Sequence, residues 1–375
     1  MRNLVLIPSL IVLMGIIFIF GLTVGVYKIF PYEIFDSSVD LIKKETSVEN
    51  NQFITQTDLN SLVKIDKESS IDQKRNDLIE FFWNVGSLER VQHDGQLPEV
   101  ESDISDSRYS NFQNLKQIDK LTIEMEHGIN SVSYLLLPEK SNEKLILYHH
   151  GHDGDFLLGS DTIQFFLERD FTVLAMTMPL VGMNNQPSIE IDGFGEMHLI
   201  SHDQFSLLEQ NTFNPMKLFI HPIQVNLNFL DKEYDFKRYS IIGLSGGGWT
   251  GLVYSAIDDR ISDSFSVASS VPFYLRVDVR DIGDYEQTNI DLYRIANYLE
   301  LYILAGYGDD RKHVQIFNKN DPCCYSGIGY ESYEFFIKDK LAKLGKGSFQ
   351  ILVDDTHSEH KISNTMLEYI RKNIG

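Results

Sequence analysis

A short apolar run, Tyr239–Leu244, ends in a glycine cluster and is followed at once by a helix-patterned stretch, Trp249–Ile257. No other feature constrains the fold as much. A strand that turns directly into a helix belongs to a layered α/β architecture, with the turn at the carboxyl end of a sheet strand. Residues 243–247 read Gly-Leu-Ser-Gly-Gly, a G-x-S-x-G string. With 25 glycines in 375 residues such a string arises by chance in roughly one chain in ten, so its position carries the inference. On so sharp a turn Ser245 would present its hydroxyl at the top of the sheet. Gly243 and Gly247 are expected where a side chain would clash, and Gly246 would aim its N–H at a developing oxyanion. The same string could be a plain turn or a phosphate loop, but no Gly-Lys-Ser/Thr follows it.

From about residue 118 the pattern repeats. Ile118–Glu126 and Ile129–Leu137 read as strands, with Gly128 and Asn130 suited to a hairpin turn. Further strands are expected at Lys144–His150, Phe171–Met178, Tyr239–Leu244, Ile261–Ala268, Val314–Asn318 and Phe349–Val353. Helices are expected at Ile163–Arg169, Pro215–Leu230 and 363–373. The fold class is therefore α/β: a mostly parallel eight-stranded sheet flanked by helices. Residues 179–216 hold Gly182, Asn184, Pro187, Gly193 and Gly195 and form a loop-rich roof.

On these residues the segment 118–373 resembles the α/β-hydrolase superfamily, in its serine esterase-like form. The resemblance implies the chain order serine, acid, histidine. It also implies a second oxyanion donor on the loop after the third strand, here His149-His150-Gly151-His152-Asp153-Gly154. The pair His150-Gly151 matches the family pattern, and His152 would supply the backbone N–H beside that of Gly246. The loop departs from the H-G-G-G of many lipases. A backbone-donor loop accounts for these histidines, so no metal and no cofactor is expected, and His198, His202 and His221 read as ordinary polar residues. Asp321, after the seventh strand, fits the acid; its rivals Asp309 and Asp310 precede that strand. The base lies on the loop after the eighth strand. His360, followed by Lys361-Ile362-Ser363 with Ser363 as helix N-cap, is preferred, with His357 as runner-up. The implied activity is cleavage of a small-molecule carboxylic ester through an acyl-enzyme. A peptidase of the same fold, or a non-catalytic binding protein built on it, is the alternative.

The chain preceding this region is of different character. Leu4–Tyr27 holds no charged residue and would reach about 35 Å as a helix, enough to span a bilayer. A cleaved signal peptide would have a shorter apolar core and an Ala-containing cleavage site, and this run has no Ala. Residues 1–35 are thus expected to be a single-pass signal-anchor. Arg2 precedes the run, while Lys28 is soon joined by Glu33 and Asp36, which favours an extracytoplasmic body. Residues 36–117 read as a polar, partly helical lead-in, with an amphipathic helix over Ile71–Asn84, and 118–375 as the hydrolase domain. The formal net charge of −21 argues against a nucleic-acid partner. The two cysteines, Cys323 and Cys324, are adjacent and are expected as free thiols, because neighbours bridge only with strain.

Overall fold

The computed structural model describes residues 57–375 apart from Asp94, together with Ile17, Phe18, Phe20, Gly21 and Thr23. Apart from those five positions, the expected membrane span over 4–27 lies outside the described residues. Among the described residues no helix is long and apolar enough to cross a membrane. The chain divides into two compact units, Met1–Gln56 and Thr57–Gly375, and the second holds the sheet.

That sheet has nine strands: β1 (Glu99–Glu101), β2 (Leu115–Glu124), β3 (Asn130–Pro138), β4 (Lys144–His149), β5 (Thr172–Met176), β8 (Arg238–Leu244), β9 (Ile261–Val267), β10 (Lys312–Asn318) and β11 (Ser348–Asp354). Their spatial order is β1-β2-β3-β5-β4-β8-β9-β10-β11. The remaining two, β6 (Ser188–Ile191) and β7 (Gly195–His198), pair as a separate antiparallel hairpin inside the expected roof. The expectation of eight strands is corrected to nine, and the sheet is mixed. β1, β2, β3 and β5 pair antiparallel, and the six strands from β5 to β11 run parallel. β1 escaped the sequence reading because it is three exposed residues, Val100 between two glutamates, with no apolar alternation to mark it.

The parallel strands are buried on both faces, as continuous apolar runs require: every residue from Leu145 to His149 and from Thr172 to Met176 is buried. The covering helices are α1 (Glu68–Trp83), α2 (Ser160–Leu167), α3 (Lys217–Glu233), α4 (Gly246–Ile257), α5 (Tyr298–Gly306), α6 (Glu334–Leu344) and α7 (Asn364–Asn373). α1 buries the stripe Ile71, Leu78, Ile79 and Phe82 and ends at Asn84 in the left-handed conformation. Arg75 on α1 donates to the carbonyls of Ala256 (3.2 Å), Leu304 (3.2 Å) and Tyr307 (3.0 Å), where α4 and α5 end with orphan acceptors. Residues 57–117 thus share one compact unit with the sheet. The last helix, α7, is capped by Ser363, whose side chain accepts from the Met366 N–H.

Candidate active site

Ser245 joins β8 to α4 with φ 55° and ψ −128°, a left-handed backbone that only a tightly packed turn holds in a non-glycine residue. Its N–H donates to the Val267 carbonyl of β9 at 2.9 Å, and its carbonyl accepts from Gly248 and Trp249. The side chain stays half-buried among buried neighbours. Crowding explains the glycines. A Cβ at Gly243 would fall 2.2 Å from the Gly247 carbonyl oxygen, and one at Gly247 would fall 2.1 Å from the His149 carbonyl oxygen. A Cβ at Gly151 would lie 2.7 Å from the Cβ of Ser245. Only glycines let α4 start flush against β8 and β4.

Strand register brings the second loop to the turn. β4 and β8 pair in parallel with His149 opposite Gly243, so the chain leaving β4 runs beside Ser245. His150 is pinned there, with Nδ1 2.8 Å from the Tyr148 hydroxyl and Nε2 2.9 Å from Asp153 Oδ1. Among the described residues, neither the Gly246 N–H nor the His152 N–H has a hydrogen-bond partner, which leaves both free for an incoming oxygen. The His152 ring lies against Gly246, where a Cβ would come within 2.2 Å of its Cε1.

The acid and the base come from the ends of β10 and β11, where Asn318 and Asp354 stand opposite each other. His360 Nδ1 is 2.8 Å from Asp321 Oδ2. Asn318 Nδ2 donates to the same oxygen at 3.2 Å, and the Cys323 N–H donates to Oδ1 at 2.8 Å. A carboxylate held at both oxygens can orient the imidazole but cannot swing away from it. His360 Nε2 is buried and has no hydrogen-bond partner among the described residues, so its bond to Ser245 is not formed in this structure. His357 takes a different partner: its Nε2 is 3.2 Å from Asp354 Oδ2 and its Nδ1 accepts from the Glu359 N–H. The structure therefore joins His360, and not His357, to Asp321. The expectation of free thiols is corrected: Cys323 and Cys324 are joined as a disulfide, in the turn that follows Asp321-Pro322.

One group of residues went unnoticed in the sequence. Glu286 is fully buried beside His152 and His202. Its Oε1 is 2.8 Å from His152 Nε2, its Oε2 is 3.2 Å from His202 Nδ1, and Asp284 Oδ2 is 3.1 Å from His152 Nε2. Burial alone would raise the Glu286 carboxyl, but the two imidazoles outweigh it and hold that carboxyl well below the usual range. Burial likewise opposes charge on His152, yet the Glu286 hydrogen bond and the nearby carboxylates leave it raised. Residues 152, 202 and 286 lie on three distant segments, and no spacing in the sequence links them.

No family model matches the chain, nor does any curated protein. Solved structures do resemble it. Acetyl xylan esterase 1 from Thermoanaerobacterium sp. is 15% identical with a TM-score of 0.54, covering 85% of this chain and 98% of its own. An acetyl xylan esterase from Paenibacillus sp. R4 is 14% identical with a TM-score of 0.54, covering 85% and 99%. A methylesterase is 12% identical with a TM-score of 0.52, covering 87% of this chain and 67% of its own. At these identities the likeness is one of fold: the chain has the α/β-hydrolase fold, in the form these esterases share.

Proposed function

We propose that the chain is a serine hydrolase that cleaves a carboxylic ester. The observation that carries this reading is the strained Ser245 turn, set in the same sheet as the 2.8 Å pair of His360 and Asp321. In the mechanism, His360 Nε2 takes the proton as Ser245 Oγ attacks the ester carbonyl. Asp321 holds the Nδ1–H and stabilises the imidazolium that forms. The N–H groups of Gly246, at the amino end of α4, and of His152 receive the oxyanion, and the helix dipole adds to the stabilisation. The alcohol leaves with the proton from His360, and water attacks the acyl-Ser245 by the same route in reverse. The fold neighbours are named as acetyl xylan esterases and a methylesterase, which supports an ester over an amide as the substrate.

We further infer that the uncharged run 4–27 tethers the enzyme to a membrane with its body on the extracytoplasmic side. The length of the run and the charges that flank it support this. The Cys323–Cys324 disulfide fits an oxidising compartment. The test of function is hydrolysis of p-nitrophenyl esters of increasing acyl length beside matched p-nitroanilides, by the full chain in detergent. Turnover of a short ester above the anilide is expected. Cleavage of the anilide alone would contradict the reading.

A further inference from the structure

Behind the oxyanion loop the His152–Glu286 hydrogen bond of 2.8 Å stands beside a second imidazole, that of His202, whose approach to the same carboxylate is not a hydrogen bond. His202 Nε2 lies 2.8 Å from the Pro179 carbonyl oxygen, which can only accept, so this nitrogen carries the proton. In the neutral ring Nδ1 is then a lone pair, and it faces Glu286 Oε2 at 3.2 Å. His202 is 5% exposed and Glu286 0%, and neither of the two facing atoms has a hydrogen-bond partner. Two buried lone pairs aimed at each other repel unless a proton or a metal ion lies between them. His152 and Asp284 complete the group, and one ligand atom from each of the four residues lies within 4.8 Å of the other three.

We propose that His152, His202, Asp284 and Glu286 form a binding site for a divalent transition-metal ion of the zinc class. Two imidazoles and two carboxylates make a four-coordinate set that suits zinc, and two neutral imidazoles with two carboxylates balance its charge. Zinc bonds of about 2.0–2.1 Å in a tetrahedron place ligand atoms roughly 3.3 Å apart. His152 Nε2 lies 2.8 Å from Glu286 Oε1 and 3.1 Å from Asp284 Oδ2, and Glu286 meets His202 Nδ1 through its other oxygen, Oε2, at 3.2 Å, so one buried carboxylate faces both imidazoles and can offer either oxygen to an ion. The Pro179 carbonyl plays the part that a backbone acceptor usually plays for a metal-bound histidine, fixing the tautomer. The ion would tie together the loop after β4, the roof segment that carries His202, and the short helix Tyr285–Thr288. It uses none of Ser245, Asp321 and His360 but shares His152 with the oxyanion loop, and it departs from the sequence expectation that no metal is held.

The experiment uses the untagged full chain in detergent, stripped with a chelator, incubated with zinc chloride and passed through gel filtration before elemental analysis. About one zinc per chain should be retained, and the melting temperature should rise over the stripped protein. Ser245→Ala should retain the same amount. His202→Gln and Glu286→Gln should weaken binding by about 100-fold. Should those buried variants not fold, Asp284→Asn, at a half-exposed rim position, decides, with about tenfold weaker binding expected. No retained zinc in the wild type would overturn the proposal, the group then being held by protons alone. Zinc that is unchanged in Asp284→Asn, or that is lost only when Cys323 and Cys324 are changed to serine, would also overturn it.

Discussion

Ser245, His360 and His357 make distinct demands on their surroundings, and each can be tested alone. The His360–Asp321 pair leaves Nε2 as the only free nitrogen of that ring, whereas His357 is turned to Asp354. His360→Ala should lower kcat by about four to six orders of magnitude, close to the loss in Ser245→Ala, because members of one catalytic unit are not additive. His357→Ala should cost about tenfold, by loosening the loop. A pair of kcat/KM measurements at pH 8 separates them, and an inactive His357 variant beside an active His360 variant would reverse the assignment. Gly247→Ala tests the turn itself: its new methyl would meet the carbonyl oxygens of His149 at 2.1 Å and His150 at 2.6 Å, backbone atoms with no flexible end to give way. A loss of about 3 kcal/mol or more in urea denaturation is expected, with activity falling alongside. At this scale the sequence offers as candidates the residues that sit in local strings. Ser245, Gly246, His152, Asp321 and His360 each follow a strand end, where chemistry of this kind collects. Glu286 and His202 could not be found that way, because their meeting depends on how the roof and the chain after β9 fold over the sheet.

Elements were legible in proportion to their burial. The eight expected strands carry apolar runs or apolar alternation and recur within a few residues of their expected bounds, and the Ser363 cap of α7 is present. β1 and the β6–β7 hairpin were not expected, since their strands are only three or four residues long and none of their residues is buried. The adjacent cysteines were expected as free thiols because a bridge between neighbours is strained, and the structure joins them all the same. α1 gives a test of how far the body extends. Arg75 supplies donors to three carbonyls at the ends of two other helices, and burial pushes its guanidinium below the usual value although it stays charged. Arg75→Ala should lower the unfolding free energy by about 2–3 kcal/mol in chemical denaturation, with kcat unchanged. An unaltered midpoint would mean that α1 is only loosely held.

For the molecule as a whole, pH enters through three buried histidines. Burial pushes His149 and His221 down to about 4 and His313 to about 3. Between about pH 6.5, where the unfolded chain takes up these protons, and the lower folded values, only the unfolded state is protonated. Stability therefore falls as pH drops through that window, by about 1.4 kcal/mol per unit for each histidine at full slope. Denaturation curves at pH 7 and pH 5 should show this loss, and His313→Gln should flatten it by about a third; an unchanged slope would assign the acid limb to other groups. The tether is tested by fractionation. The full chain should sediment with membranes and resist carbonate, and Thr57–Gly375 alone should be soluble and active; a soluble mature protein that begins beyond residue 20 would identify a cleaved signal instead. The central claim is that Ser245 is the nucleophile, and covalent labelling tests it most directly. The full chain treated with a fluorophosphonate probe should gain one adduct, mapped by peptide mass to Ser245 and absent from Ser245→Ala. An adduct of equal yield in that variant would contradict the account.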